Sequence, residues 1–194
     1  LKQLPNHIFT LQINDKGSIQ AIKLAGIHEV VDCSEEDTAA LLYSSGTTGQ
    51  PKGIMLTHGN IGSNAKTLQE AWEFTANDCL LHALPIYHVH GLFVALGCVF
   101  LSGSKMLWLD NFEANEVLTQ LPKCTVMMGV PTYYTRLIKN KGLNSKVTQN
   151  LRIFISGSAP LLEETFMDFN SITGHKILER YGMTETNIIS SNPI

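Results

Sequence analysis

From Cys79 onward the chain alternates short, continuously apolar runs with segments of helical period, and no other feature narrows its possible folds as much. The runs at residues 79–84, 105–109, 125–129, 151–156 and 176–180 read as strands. Between them helices are expected over residues 90–101, 114–121, 131–140 and 161–172, and Pro131 suits a first helical turn. Strands alternating with helices of about ten residues imply βαβ units and a mostly parallel sheet. Runs that are apolar at consecutive positions fit strands covered on both faces. The expected fold is therefore α/β, a mostly parallel, helix-covered sheet preceded by a short β-rich N-terminal segment. In that segment residues 7–13 and 18–24 read as strands joined by turn residues 14–17, and residues 59–71 read as a further helix.

Such a chain of 194 residues, 44% hydrophobic, can bury a core as a single domain over residues 1–194. A net charge of -3 argues against bulk binding to nucleic acid or to acidic membranes, which needs a basic face. The longest apolar stretch, residues 91–101, falls short of the roughly 20 residues that a membrane span requires. Cys33, Cys79, Cys98 and Cys124 are scattered without a CxxC pair, so reduced, buried thiols are expected. No signal or transit peptide is visible, which suits a cytoplasmic location, or the mitochondrial matrix in a eukaryote. The chain opens on Leu1 and stops at Ile194 just after a dense motif, so a piece of a longer protein is expected.

In open α/β sheets ligands sit outside the carboxyl ends of the strands. Here those ends are residues 85–88, 110–111, 129–131, 156–160 and 181–185, which carry most of the unusual glycines, hydroxyls and charges.

Ser44, Ser45, Gly46, Thr47, Thr48, Gly49, Gln50, Pro51, Lys52 and Gly53 form a dense polar loop. Its glycines let backbone N–H groups approach an anion, its hydroxyls donate to phosphate oxygens, and Lys52 adds a mobile positive charge. A triphosphate cradle and a polar surface hairpin both fit this composition. A Walker A loop does not, because Gln50 and Pro51 separate Gly49 from Lys52 and proline cannot donate to a helix-start anion nest.

Three further segments fall on the ligand edge. In Arg180-Tyr181-Gly182-Met183-Thr184-Glu185-Thr186 the Tyr181 ring can stack on a purine, and Glu185 can hold Mg²⁺ together with substrate phosphates. A capped strand-to-helix turn is the plainer alternative. The small residues of Ser156-Gly157-Ser158-Ala159-Pro160 allow close backbone approach. In Leu84-Pro85-Ile86-Tyr87-His88-Val89-His90-Gly91 the two histidines lack an apparent third partner for a metal.

Tyr43 and the loop that follows it resemble the signature loop of the adenylate-forming superfamily of acyl-CoA synthetases, luciferases and adenylation domains. The resemblance implies that Ser44, Ser45, Gly46, Thr47, Thr48, Gly49 and Lys52 grip the β and γ phosphates of ATP. It places Tyr181 on adenine, Thr184 on the α-phosphate and Glu185 on Mg²⁺, with Arg180, Gly182 and Met183 in the same nucleotide-binding segment. It puts Ser158 and Ala159 along the adenine and acyl pocket, and His88 at the mouth of the carboxylate pocket, with Tyr87 where the family usually has phenylalanine. Catalytic roles are implied for Lys52, His88, Thr184 and Glu185.

Residues 84–93, 126–137, 154–160 and 178–193 are most similar to malonyl-CoA synthetases. A dicarboxylic acid needs a cation for its second carboxylate, since a buried unpaired charge is very costly. Arg136, a turn into the helix after Pro131, is the candidate, with His88 and Ser156 beside it; a solvated helix residue is the alternative. The implied activity converts malonate or methylmalonate, ATP and coenzyme A to the acyl-CoA by way of an acyl-adenylate. In the family a downstream aspartate holds the ribose, and a small C-terminal domain supplies a lysine. Neither lies in these residues, so the piece alone is expected to be inactive. A fatty-acid or aryl-acid ligase and a non-catalytic nucleotide-binding module are the competing readings.

Overall fold

A computed structural model of the chain describes residues 31–44 and 52–194. The strands expected at residues 7–13 and 18–24, and loop residues 45–51, lie outside the described residues. Cys33–Ile194 form one compact unit.

Strands β1 (Thr38–Ser44) and β2 (Lys52–Thr57) pair antiparallel as a separate two-stranded sheet. Helix α1 (His58–Ala71) leaves β2 directly. Its start is fixed by a capping box. The Thr57 hydroxyl accepts the Asn60 N–H at 3.1 Å, and the Asn60 side chain accepts the Thr57 N–H at 3.2 Å.

The remaining elements are β3 (Cys79–His82), a π-helical turn (His90–Ala95) running into α2 (Leu96–Ser102), β4 (Lys105–Trp108), α3 (Ala114–Gln120), β5 (Val126–Gly129), α4 (Pro131–Ile138), β6 (Ile153–Ser156), α5 (Glu163–Thr173), β7 (Ile177–Met183) and β8 (Asn187–Ser191). The six-stranded sheet has the order β4-β3-β5-β6-β7-β8. All its pairings are parallel except the last, where β8 returns antiparallel to β7. The alternation of elements thus gives the mostly parallel, helix-covered sheet. Gly103 at φ 65° and Gly174 at φ 79° end α2 and α5 in the left-handed conformation that glycine adopts without a Cβ penalty.

One expectation fails at the C-terminal side. The last strand does not end at Arg180 but continues to Met183, and residues 184–186 turn it back into β8, so the strand-to-helix alternative is incorrect. Asn187 takes φ 54°, a conformation asparagine tolerates, and this supplies the turn that the sequence reading lacked.

The strands bury both faces. Leu80, Val126, Met128, Ile155 and Leu178 pack with Leu68, Trp72 and Cys98 of the α1–α2 side. Leu81, Met127, Phe154 and Ile177 pack with Val117, Tyr134, Leu137 and Phe169 of the α3–α5 side.

The amino end of the sheet is tied by Asp78, 3% exposed. Its carboxylate accepts from Arg152 Nε at 2.8 Å and Nη2 at 3.0 Å, from the Thr125 hydroxyl at 2.7 Å and from the Thr75 N–H at 2.9 Å. Burial works to raise its pKa, but these donors outweigh it and hold the carboxyl at about 2.

Among the cysteines, Cys98 and Cys124 are buried and Cys79 is half-buried, whereas Cys33 is exposed, contrary to expectation. No helix among the described residues is long and apolar enough to cross a membrane.

Candidate functional site

The carboxyl ends of β6 and β7, together with the π-helical turn after β3, converge on one polar centre. Arg180 reaches it from β7 and is only 6% exposed. Its Nη2 donates to the Ser158 hydroxyl at 3.3 Å, and the same hydroxyl lies 3.3 Å from His90 Nδ1. With the arginine as donor, the serine proton is free to point at His90 Nδ1, which leaves the ring proton on Nε2. Burial, and then the Arg180 charge, drive the His90 pKa well below its ordinary value, so the ring is neutral at pH 7. Burial also lowers the Arg180 pKa, to about 10, which leaves it charged.

Three buried polar atoms on these elements have no partner among the described residues: Arg180 Nε, His90 Nε2 and Ser156 Oγ. Leaving such groups unsatisfied is costly, so a cluster of them marks a place for a ligand. Ser158 holds its place at φ 70°, a strained conformation for a residue with a side chain.

Two clefts open beside this centre. The larger, about 450 Å³, is bordered by Ser158, Ala159, Pro160, Arg180, Tyr181 and Gly182. Tyr181 is 59% exposed along it and can present a face to a flat ring. The second, about 220 Å³, brings together His88, His90, Arg180, Met183, Thr184 and Glu185. His88 is exposed at its rim, and Glu185 stands on the β7–β8 turn. Gly182 is required by packing, since a Cβ there would run into the Asn187 carbonyl. Gly91 likewise faces the Pro85 carbonyl carbon, 3.0 Å from where a Cβ would sit.

No group of three or more His, Cys, Asp or Glu side chains that could hold a metal occurs among the described residues. Glu185, exposed and beside Thr184, instead suits a hard cation that takes one or two carboxylates and completes its shell from phosphate oxygens.

The remaining expected site residues fall as follows. Ser44 and Lys52 are register partners at the base of the β1–β2 pair, and Ser45, Gly46, Thr47, Thr48 and Gly49 lie outside the described residues. Arg136 is exposed on α4, its guanidinium carbon 4.8 Å from the Phe112 ring centre. It borders neither cleft that holds Arg180. The buried cation facing His90 is thus Arg180, which sequence reasoning placed with the nucleotide. A charge inside the apolar β7 run was the signal available. His82 was not anticipated either. It is fully buried at the end of β3, with its ring centre 4.6 Å from that of Trp108, and burial lowers its pKa to about 4.

The chain is similar to known CoA ligases. The chain is 41% identical over 180 residues to a malonate–CoA ligase of Arabidopsis thaliana, covering 82% of this chain and 29% of that protein. The structure matches ATP-bound MatB of Rhodopseudomonas palustris with a TM-score of 0.84 and 50% identity, over 86% of this chain and 33% of that one. It also matches a malonyl-CoA ligase in complex with methylmalonyl-CoA and AMP, with a TM-score of 0.79 and 33% identity, over 86% and 37% of the two chains. The chain therefore spans about a third of the length of these relatives. The model of the AMP-binding enzyme family matches residues 5–194, and the chain belongs to that family.

Proposed function

We propose that the protein containing this chain is an AMP-forming acid–CoA ligase that activates malonate or methylmalonate. One observation carries the substrate assignment. A guanidinium 6% exposed, with no carboxylate partner among the described residues, shares the Ser158 hydroxyl with His90, whose Nε2 is likewise unpartnered there. A small dicarboxylate satisfies both through its distal carboxylate. The apolar tail of a fatty or aryl acid would leave the buried charge unpaired. The similarity to malonate ligases supports the same reading.

In this proposal Tyr181, Ser158 and Ala159 bind the adenosine, and Ser44, Lys52 and the loop between them bind the β and γ phosphates. Thr184 contacts the α-phosphate. Glu185 holds Mg²⁺, which neutralises phosphate charge when bound. With its distal carboxylate fixed by Arg180, the acid presents its other carboxylate past His88 to the α-phosphorus. A carboxylate oxygen bonds to that phosphorus as the bond to the pyrophosphate oxygen breaks, giving acyl-AMP and pyrophosphate. The thiolate of coenzyme A then takes the acyl group and AMP leaves. The protein's contribution is placement and charge compensation. The buried Cys98 and Cys124 thiols suit a reducing compartment, cytoplasm or mitochondrial matrix.

The test compares full-length wild type, Arg180→Met, Arg180→Lys and Arg136→Ala in acid-dependent ATP–pyrophosphate exchange, with melting curves to establish folding. Arg180→Met is expected to lose on the order of 100-fold in kcat/KM for malonate and far less for propionate, as removal of a desolvated charge partner does. Arg180→Lys, which keeps the charge but not the fork, is expected to fall between. Arg136→Ala is expected to stay within about 3-fold, as for an exposed residue. Equal losses on both acids in both folded Arg180 variants, or a malonate-selective loss in Arg136→Ala, would refute the assignment.

A further inference from the structure

Asn64, on α1, makes two hydrogen bonds to one residue of the sheet edge. Its Nδ2 donates to the Ile188 carbonyl at 2.9 Å, and its Oδ1 accepts the Ile188 N–H at 3.3 Å. The amide thus does at this point what another strand would do, and closes the outer edge of β8. A second tie lies further along β8, where Trp72 Nε1 donates to the Ser191 hydroxyl at 2.9 Å.

The position of Asn64 gives this contact a functional meaning. At one end α1 continues directly from β2, whose first residue Lys52 pairs with Ser44 at the base of the phosphate loop. At the other end Ile188 follows the turn that carries Thr184 and Glu185. Asn187, between them, is buried and has Gly182 packed against its carbonyl, so the turn cannot slide independently of Ile188. A polar cleft of about 240 Å³, bordered by Asn60, Ser63, Thr67, Glu185 and Thr186, leaves the turn room to move once the tie is cut.

We propose that Asn64 is a positioning residue that fixes the Thr184–Glu185 turn relative to α1 and the β2 residue Lys52, and so sets the affinity for Mg-ATP. The inference rests on the ligase reading only in assigning Mg-ATP to this site. Partners bonded directly to a metal ligand are worth about 10- to 100-fold in metal affinity; Asn64 acts one step further out, through Ile188, so the lower end is expected.

Full-length wild type, Asn64→Ala, Asn64→Asp and Trp72→Phe are compared by calorimetric titration with Mg-ATP in the absence of acid. Hydrogen exchange of residues 184–188 and acid-dependent pyrophosphate exchange are measured alongside. Asn64→Ala is expected to weaken Mg-ATP about 10-fold, to speed exchange across residues 184–188 and to leave the KM for malonate within 2-fold. Asn64→Asp, which accepts from the Ile188 N–H but repels its carbonyl, should do the same. Trp72→Phe cuts the tie further from the turn and should leave Mg-ATP binding within about 2-fold. Wild-type affinity in folded Asn64→Ala, or an equal loss in Trp72→Phe, overturns the proposal. A wild type that binds Mg-ATP but shows no malonate-dependent exchange sinks the substrate reading alone, and one that does not bind Mg-ATP sinks both.

Discussion

The side chain of Arg180 lies directly over the α-carbon of Gly157. A Cβ at that position would stand 2.7 Å from Arg180 Cδ and closer still to Nε and Cζ. Gly157 is therefore part of the guanidinium's seat. Its backbone conformation does not demand glycine, but the space above it does.

Gly157→Ala is accordingly expected to push the guanidinium out of place. Overpacking of this kind costs about 1–3 kcal/mol, to be read by urea unfolding. The variant should also lose malonate in the same acid-selective way as Arg180→Met. Unchanged stability together with unchanged acid preference would show that Arg180 is not seated there.

Asp78 and Arg152 offer a test of the opposite end of the sheet. Arg152→Met leaves the Asp78 carboxylate, 3% exposed, with only Thr125 and Thr75 as donors. Breaking a buried pair from one side costs on the order of 3 kcal/mol, and the partial exposure of Arg152 places this pair toward the lower end. Asp78→Asn/Arg152→Met is expected to recover part of the loss. A single variant as stable as wild type in thermal unfolding would contradict this role.

The depressed pKa of His82 gives the stability a direction in pH. The unfolded side chain titrates near 6.5 and the folded one at about 4. Above 6.5 both states are neutral and the fold is unaffected. Between 6.5 and 4 the unfolded chain holds a proton that the folded chain refuses, so stability falls as pH falls, by about 3 kcal/mol at the lower end. His90 acts in the same direction, whereas Asp78 contributes only below about pH 4. His82→Phe keeps a ring against Trp108 and removes the titration. Its unfolding free energy should therefore decline less than that of wild type between pH 7 and 4.5, and parallel curves would exclude the effect.

The parallel core of the fold was legible in the sequence because each strand is a continuous apolar run. Leu80–Leu81 and Phe154–Ile155 each feed one residue to either face, which is the pattern two helix layers impose. The antiparallel β8 was not legible. It is an edge strand of mixed polarity whose turn depends on the left-handed conformation of Asn187, and the motif before it resembles the start of a helix. The strand-end rule put His88, Ser158, Thr184 and Glu185 on one edge, and all four border the smaller cleft beside Arg180. It chose Arg136 for the distal carboxylate and left Arg180 with the nucleotide, because spacing shows where a residue lies along an element and not that Arg136 is exposed and Arg180 buried. The same limit concealed His82 and left His90 as one of a histidine pair, since neither ring's burial can be read from its sequence context.

The Asn64 tie also bears on the order in which the protein assembles. Its two bonds join residues 124 positions apart, and the Trp72–Ser191 bond spans 119. The β7–β8 hairpin closes through a short turn and can form early, whereas the loop entropy of the α1 contacts falls due only once the intervening strands are in place. During synthesis α1 emerges long before its partner strand, and the Asn64 amide keeps water as its partner until β8 arrives. The turn that carries Thr184 and Glu185 can thus form early within its hairpin, yet takes its place against α1 only after the strands between them have assembled.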